Sequence, residues 1–382
     1  MGQCRAKLTF GVAILATCAF KSVRDVRSVS VVRQEATVGM GTPAFKNNTI
    51  HDSSYLPRNM YKSPHHVFWC GYGNLFGGLG LNVGENLFPE VTVSMLQANS
   101  TASADDLLLY PCGGLCPTGF EHFPGKILTF NGESSPEKCR LPGLRTNNVS
   151  SVSPMDATGS ISAYAVSMHL ESLTMELQNS IYRAESRNIN TKERFLIYAA
   201  SNCVPFREVS FIELSQIGPA EYAGRCNGTI FKQFRSPAIV AVLAAGTIVR
   251  APKEGNIGWG NNHIFMHKYR FALVMENAKT VGYLTEKILN AFLAGRIPIY
   301  YGTDEVFDVF NRKSFIYYDI NDPAPSLERI AFLESNRTAY DEMLKEPILA
   351  NGTQTIEEYF SWTDEVGGGQ LKWRIRELLG YE

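Results

Sequence analysis

The passage from Tyr269 to Tyr301 constrains this chain more than any other. An apolar run (YRFALVM), a helix-period segment and a second apolar run (IPIYY) follow one another there with little linker. Short, continuously apolar runs are the pattern of strands buried on both faces. Between them Thr285 is placed to cap a helix whose Ile288, Leu289, Phe292 and Leu293 share one face, and Gly295 supplies the stop. The unit is βαβ, so the spacing predicts a parallel sheet covered by helices, an α/β fold. Phe195 to Ala200 (FLIYAA), ending in the polar SNC, is a further strand of the same kind. Upstream, Leu107 to Tyr110 and Lys126 to Phe130 read as strands, the latter breaking at Asn131, Gly132 and Glu133. The apolar stretch Ile239 to Val249 is too short to span a bilayer and predicts a buried helix.

At 382 residues the chain exceeds what one core usually organises, so two domains are expected. Its 36 basic and 37 acidic residues leave a net charge of −1, without the broad positive field of a nucleic-acid-binding protein. No nucleic-acid partner is expected, and any anionic ligand must be held by a few local cations.

The amino terminus reads as a targeting element. Arg5 and Lys7 precede an apolar run from Leu8 to Phe20, and Lys21, Arg24 and Arg27 follow it. A retained signal anchor over residues 1–27 is the reading adopted, with a signal peptide cut after Ala19 as the alternative. Residues 28–60 lack periodicity and read as a stem. Sequons at Asn47, Asn99, Asn148, Asn227, Asn336 and Asn351 support a lumenal catalytic part anchored in a membrane as a single-pass type II protein. Cys70, Cys112, Cys116, Cys139, Cys203 and Cys226 could pair in that compartment, with a connectivity the sequence leaves open. Cys112 and Cys116 have no second pair at zinc spacing, so no metal site is expected.

In open α/β sheets ligands bind beyond the carboxyl ends of the strands. Past FLIYAA lie Ser201, Asn202 and Arg207; past YRFALVM lie Glu276 and Asn277; past KILTF lies Glu133. The helix opening at Thr285 adds Glu286 and Lys287. A helix amino terminus with a Lys beside it and an Arg from a neighbouring loop is a phosphate site that needs no metal. These residues point to a nucleotide diphosphate, with carboxylates for hydroxyls or base work. Taken alone, Thr285-Glu286-Lys287 reads as a helix cap with a surface lysine rather than as a phosphate site.

The stretch from Tyr269 to Ile320 resembles the donor-binding motif of the α1,3/4-fucosyltransferases of glycosyltransferase family 10. The resemblance is carried by Tyr269, Arg270 and Phe271; Glu276 and Asn277; Tyr283, Thr285, Glu286 and Lys287; Ala291, Gly295 and Pro298; and Ser314, Phe315 and Ile316. Upstream, SNCVPFR and AGRCNG are similar to the family's Ser-Asn-Cys and Gly-x-Cys segments, and NGESSPE around Glu133 is a fainter likeness.

The resemblance implies a GT-B architecture, two Rossmann-like domains facing a cleft, with GDP-fucose in the carboxyl-terminal one. The expected boundaries are 61–190 for the acceptor side, 191–365 for GDP-fucose binding and 366–382 for a terminal helix. By the same resemblance Arg207 and Lys287 would neutralise the diphosphate and Glu286 would bind ribose hydroxyls. Tyr283, Asn202 and Asn277 would shape the nucleotide pocket, with Ser201 and Tyr269 also on the donor side, and Glu276 would lie near the fucose. Glu133 is the expected base, with Glu137 as the other candidate. No cofactor is obligatory, and a divalent cation would at most stimulate. The implied activity is inverting α1,3-fucosyl transfer to a GlcNAc of a glycan in the Golgi. The likeness of SNC and GRC to core-type members favours the N-glycan core; Lewis-type N-acetyllactosamine, or a silent lumenal glycan-binding protein, are the alternatives.

Overall fold

The computed structural model describes residues 62–70, 79–111, 116–130, 149–152, 193–228, 248–252 and 262–381. The expected anchor and stem, Glu133, Glu137, Cys112, Cys139 and the sequons at Asn47 and Asn148 lie outside them. The chain divides into units 1–56 and 57–382, and all that follows concerns the second. Among the described residues no helix is long and apolar enough to cross a membrane.

Among the described residues two sheets form, each wholly parallel. The first holds β1 (His66–Trp69), β2 (Thr92–Met95), β3 (Leu107–Pro111), β4 (Lys126–Phe130) and β5 (Val149–Val152) in the order β2-β1-β3-β4-β5. The second holds β6 (Arg194–Ala200), β7 (Ala220–Gly224), β8 (Ile248–Arg250), β9 (Tyr269–Leu273), β10 (Ile297–Tyr300) and β11 (Ile316–Tyr317) in the order β11-β10-β9-β6-β7-β8. The helices are α1 (Leu79–Leu87), α2 (Pro205–Leu214), α3 (His263–Met266), α4 (Glu286–Leu293), α5 (Val306–Val309), α6 (Ala324–Ser335), α7 (Arg337–Leu344), α8 (Thr353–Tyr359) and α9 (Gln370–Leu378).

The predicted βαβ unit is β9-α4-β10, in parallel register with Ile297 opposite Phe271 and Ile299 opposite Leu273. All four residues of β10 are buried, as the continuous apolar run requires. Helix α4 ends where Gly295 takes a positive φ of 67°, a conformation glycine adopts without a Cβ penalty. Helices cover both faces of this sheet. Ile288, Leu289 and Phe292 of α4 pack with Ile197, Ala272 and Val274. On the other face Phe211 and Leu214 of α2 and Ile330 and Leu333 of α6 pack with Leu196, Tyr198 and Leu273. One expectation needs correction: Ile248 and Val249, the end of the apolar stretch assigned to a buried helix, form the edge strand β8, and residues 239–247 lie outside the described set. Apolarity over a short run does not separate strand from helix.

The carboxyl-terminal helix leaves the sheet that precedes it in sequence. Leu371 and Ile375 of α9, with Leu379 and Tyr381, share a core with Val67, Trp69, Leu107, Leu109 and α1 of the first sheet. Arg376 fastens it there: its guanidinium donates to the Leu87 carbonyl at 3.0 Å and to Glu90 at 2.6 Å. Arg376→Ala is expected to cost about 2 kcal/mol, since it strips charged hydrogen bonds from a buried contact. Thermal unfolding checks this, and an unchanged midpoint would show that apolar packing alone seats α9.

Candidate active site

The strand order of the second sheet reverses between β6 and β9. From β6 the chain crosses through α2 to β7 on one side, and from β9 through α4 to β10 on the other. Beyond the carboxyl ends of β6 and β9 the two crossovers diverge and leave a crevice, the switch point where ligands of such sheets bind. Arg207 reaches it from the first turn of α2, Glu276 and Asn277 from the end of β9, and Tyr283, Thr285, Glu286 and Lys287 from the loop and first residues of α4. Arg207 is therefore helical, not a loop residue as its sequence context suggested. Pro205 starts that helix after Val204, whose extended backbone caps it.

Two hydrogen-bonded strings cross the crevice. In the first, the Glu276 carboxylate, completely buried, accepts from the Thr285 N–H and the Thr285 hydroxyl, each at 2.8 Å, and from Lys287 Nζ at 3.0 Å. Lys287 also donates to Thr285 Oγ1 at 2.8 Å. In the second, Arg207 donates to Asn277 Oδ1, and Asn277 Nδ2 donates to the Tyr283 hydroxyl at 3.0 Å. The Lys287 ammonium lies 5.8 Å from the centre of the Tyr283 ring and joins the two strings. Gly302 is required beside them, because a Cβ there would collide with the Tyr300 ring and with Glu276.

The first string revises two expectations. Thr285 is the residue before α4, but its side chain does not cap the helix; it donates to Glu276 instead. The favourable place for an anion at the amino end of α4 is thus occupied by a carboxylate of the protein, and what is offered to a ligand is the ammonium of Lys287. Of its three N–H donors, Glu276 and Thr285 engage two. Burial works against the charge of Lys287, yet Glu276 and Glu286 beside it hold its pKa above the ordinary lysine range. Burial raises the pKa of Glu286, with Lys287 at 3.8 Å opposing and Glu276 adding to the rise.

The remaining expected residues are placed as follows. Ser201 and Asn202 are exposed just past β6, at the same end of the sheet. Tyr269 lies at the opposite end, at the start of β9 beside Arg194, and its hydroxyl donates to Glu221 at 2.9 Å. Burial, with Glu221 beside it, pushes its pKa up to about 12. Tyr269 is not brought to the crevice, because strand direction separates the first residue of β9 from those that follow its last. Glu133, the expected base, lies outside the described residues.

Among the described residues the cysteines pair as Cys70–Cys116 and Cys203–Cys226. Cys203, Glu208 and Cys226 lie close enough together to suggest a metal site, but with both sulfurs in a disulfide they offer no thiolate. Glu208, not singled out in the sequence, is completely buried beside Arg207. The signal was present in the Arg-Glu pair that follows a helix-starting proline, but nothing local shows that the glutamate turns inward.

Residues 189–346 match the family model "Glycosyltransferase family 10 (fucosyltransferase) C-term". The α-(1,3)-fucosyltransferase FucT of Helicobacter pylori is 38% identical over 87 residues, 22% of this chain and 18% of that protein. An α-(1,4)-fucosyltransferase of Arabidopsis thaliana is 28% identical over 115 residues, 30% of this chain and 27% of that protein. The chain thus spans less than a third of the length of either relative. Among solved structures, that of an α1,3-fucosyltransferase with GDP is similar in fold, with a TM-score of 0.54 at 17% identity, over 86% of this chain and 93% of that one. Parallel sheets, a switch-point crevice and the matched segment that builds it agree: residues 189–346 of this chain are similar to the C-terminal domain of glycosyltransferase family 10, the fucosyltransferases.

Proposed function

We propose that the chain is an inverting α1,3-fucosyltransferase that moves L-fucose from GDP-fucose to a GlcNAc residue of a glycan, with the N-glycan core as acceptor. The observation that carries this reading is the pairing of Arg207 and Lys287 at one crevice of a fucosyltransferase-like domain. In the reaction the acceptor oxygen bonds to the anomeric carbon as the bond to the diphosphate breaks on the opposite face. The negative charge grows on the departing GDP, where the two cations meet it without a metal. Glu286, which keeps its proton to higher pH than an ordinary carboxyl, can exchange hydrogen bonds with the ribose hydroxyls. Tyr283 and Asn277 form the polar wall beside Lys287. Glu276 serves this site by holding Thr285 and Lys287 rather than by facing the sugar.

The base is Glu133 in this reading, taking the acceptor's proton from the other side of the reaction centre. Glu133→Gln is expected to lower turnover roughly 10²-fold while GDP binding persists. Normal turnover in that variant, with transfer lost in Glu137→Gln, would reassign the base. For residence, a Golgi type II membrane protein anchored by Leu8 to Phe20 is proposed; exposed sequon residues Asn99 and Asn351 support a lumenal catalytic part. The deciding experiment incubates the purified protein with GDP-fucose and a panel of core-type and N-acetyllactosamine acceptors, followed by mass spectrometry. Fucose on the core GlcNAc is expected. Transfer only to N-acetyllactosamine would make it Lewis-type, and GDP-fucose binding without transfer would make it a silent glycan-binding protein.

A further inference from the structure

The turn after β7 is fastened to the start of α2 on both sides of Arg207. Cys203, just before the cap of α2, is joined to Cys226, with Cα atoms 5.1 Å apart. Glu208, just after Arg207, accepts the Gly228 N–H at 2.6 Å in a fully buried position. The same turn is tied to the end of β6, where the Ala200 carbonyl accepts from the Arg225 and Cys226 amides at 3.1 and 3.2 Å and the Ser201 carbonyl accepts from Arg225 Nη2 at 2.9 Å. Cys226 is itself fully buried, and Cys203 is half-buried. Arg207 sits between the two fastenings, its guanidinium 5.8 Å from the centre of the Tyr198 ring and bonded to Asn277 across the crevice.

Helix α2 takes no side-chain cap from Val204; within the helix its first turn is held by the Val204 carbonyl, which accepts from the Arg207 and Glu208 amides at 3.1 and 3.2 Å. The disulfide and Glu208 fasten it from outside. We propose that the Cys203–Cys226 disulfide, with Glu208, is a positioning clamp for Arg207, and that donor binding consequently depends on the redox state of this one cystine. The inference rests on the reading of Arg207 as a ligand of the donor diphosphate. Reduction by a dithiol delivers two electrons and two protons to the S–S bond, giving two thiols here and a disulfide in the reductant. The turn then keeps its ties to the end of β6 but is fastened to α2 through Glu208 without the disulfide, and Arg207 loses its fixed place. A displacement of about 1 Å at such a group costs on the order of tenfold or more.

The test is a thermodynamic cycle read by GDP titration calorimetry on the full chain. Four proteins are compared: wild type, Arg207→Ala, Cys203→Ser/Cys226→Ser and the combination. The clamp predicts that Cys203→Ser/Cys226→Ser weakens GDP binding about tenfold, that dithiothreitol weakens the wild type equally and this variant no further, and that Arg207→Ala adds less than about threefold in the disulfide-free background. Glu208→Gln should weaken binding in the same direction. A disulfide that merely stabilises the fold would lower the unfolding midpoint and leave the effect of Arg207→Ala at full size in both backgrounds, which would overturn the clamp. If Cys203→Ser/Cys226→Ser does not fold, the cycle is run on wild type and Arg207→Ala reduced with dithiothreitol below their unfolding temperatures. Arg207→Ala binding GDP as tightly as wild type would instead overturn the diphosphate reading beneath it.

Discussion

Lys287→Ala is expected to lower kcat/KM for GDP-fucose by about 10³-fold, the largest effect of any single change at the crevice. The ammonium is held charged by Glu276 at 3.0 Å and Glu286 at 3.8 Å, and in the proposed reaction it meets charge that develops only as the diphosphate leaves. Removing one such preorganised group is worth about 3–4 kcal/mol. Lys287→Arg keeps the charge but replaces a compact donor, seated between a carboxylate and a hydroxyl, with a planar fork, so it should recover only part of the loss. Steady-state kinetics below the unfolding temperature of each variant, with GDP affinity measured in parallel, check this. A Lys287→Ala enzyme within tenfold of wild type would move the phosphate site away from α4.

Glu276→Ala is expected to give the largest loss of stability, about 3–5 kcal/mol. Its carboxylate is wholly buried and is the acceptor for the Thr285 amide, the Thr285 hydroxyl and Lys287. Breaking a buried ion pair from one side leaves the partner charge poorly solvated and the amide without its acceptor. Glu276→Gln keeps an oxygen for the Thr285 N–H and gives up only the charge, so its loss should be the smaller of the two. Denaturant unfolding measures both. Unchanged stability in Glu276→Ala together with lost transfer would return Glu276 to the role beside the fucose that the family resemblance implied.

These two predictions show how far the sequence carried the site. Arg207, Glu276, Asn277, Thr285, Glu286 and Lys287 were identifiable because each follows an apolar run or opens a helix, and the ends of parallel strands are where a sheet offers its polar groups, whereas Tyr283 came from the family resemblance alone. Their division of labour was not. Glu276 and Glu286 look alike along the chain, but one is turned under α4 to hold Thr285 and Lys287 while the other lies against Lys287 at the start of the helix. Tyr269 belongs to the same motif as Glu276 and lies at the far end of β9, since a motif is contiguous in sequence while a strand carries its two ends apart.

Local patterning by itself determined strands β3, β4, β6, β9 and β10 and the β9-α4-β10 crossover, because apolar period and a helix-stopping glycine act over a few residues. It also determined that a nucleotide-sized anion would meet isolated cations rather than a general positive field, since net charge is a sum over composition. Tertiary structure alone decided the partners that stand far apart along the chain. It joined Cys203 to Cys226 and Cys70 to Cys116, sent Glu208 inward to Gly228, and carried α9 back to the core of the first sheet. Such pairings depend on which surfaces exclude water together once the sheets are assembled, and burial of that kind leaves no periodic trace in the residues on either side.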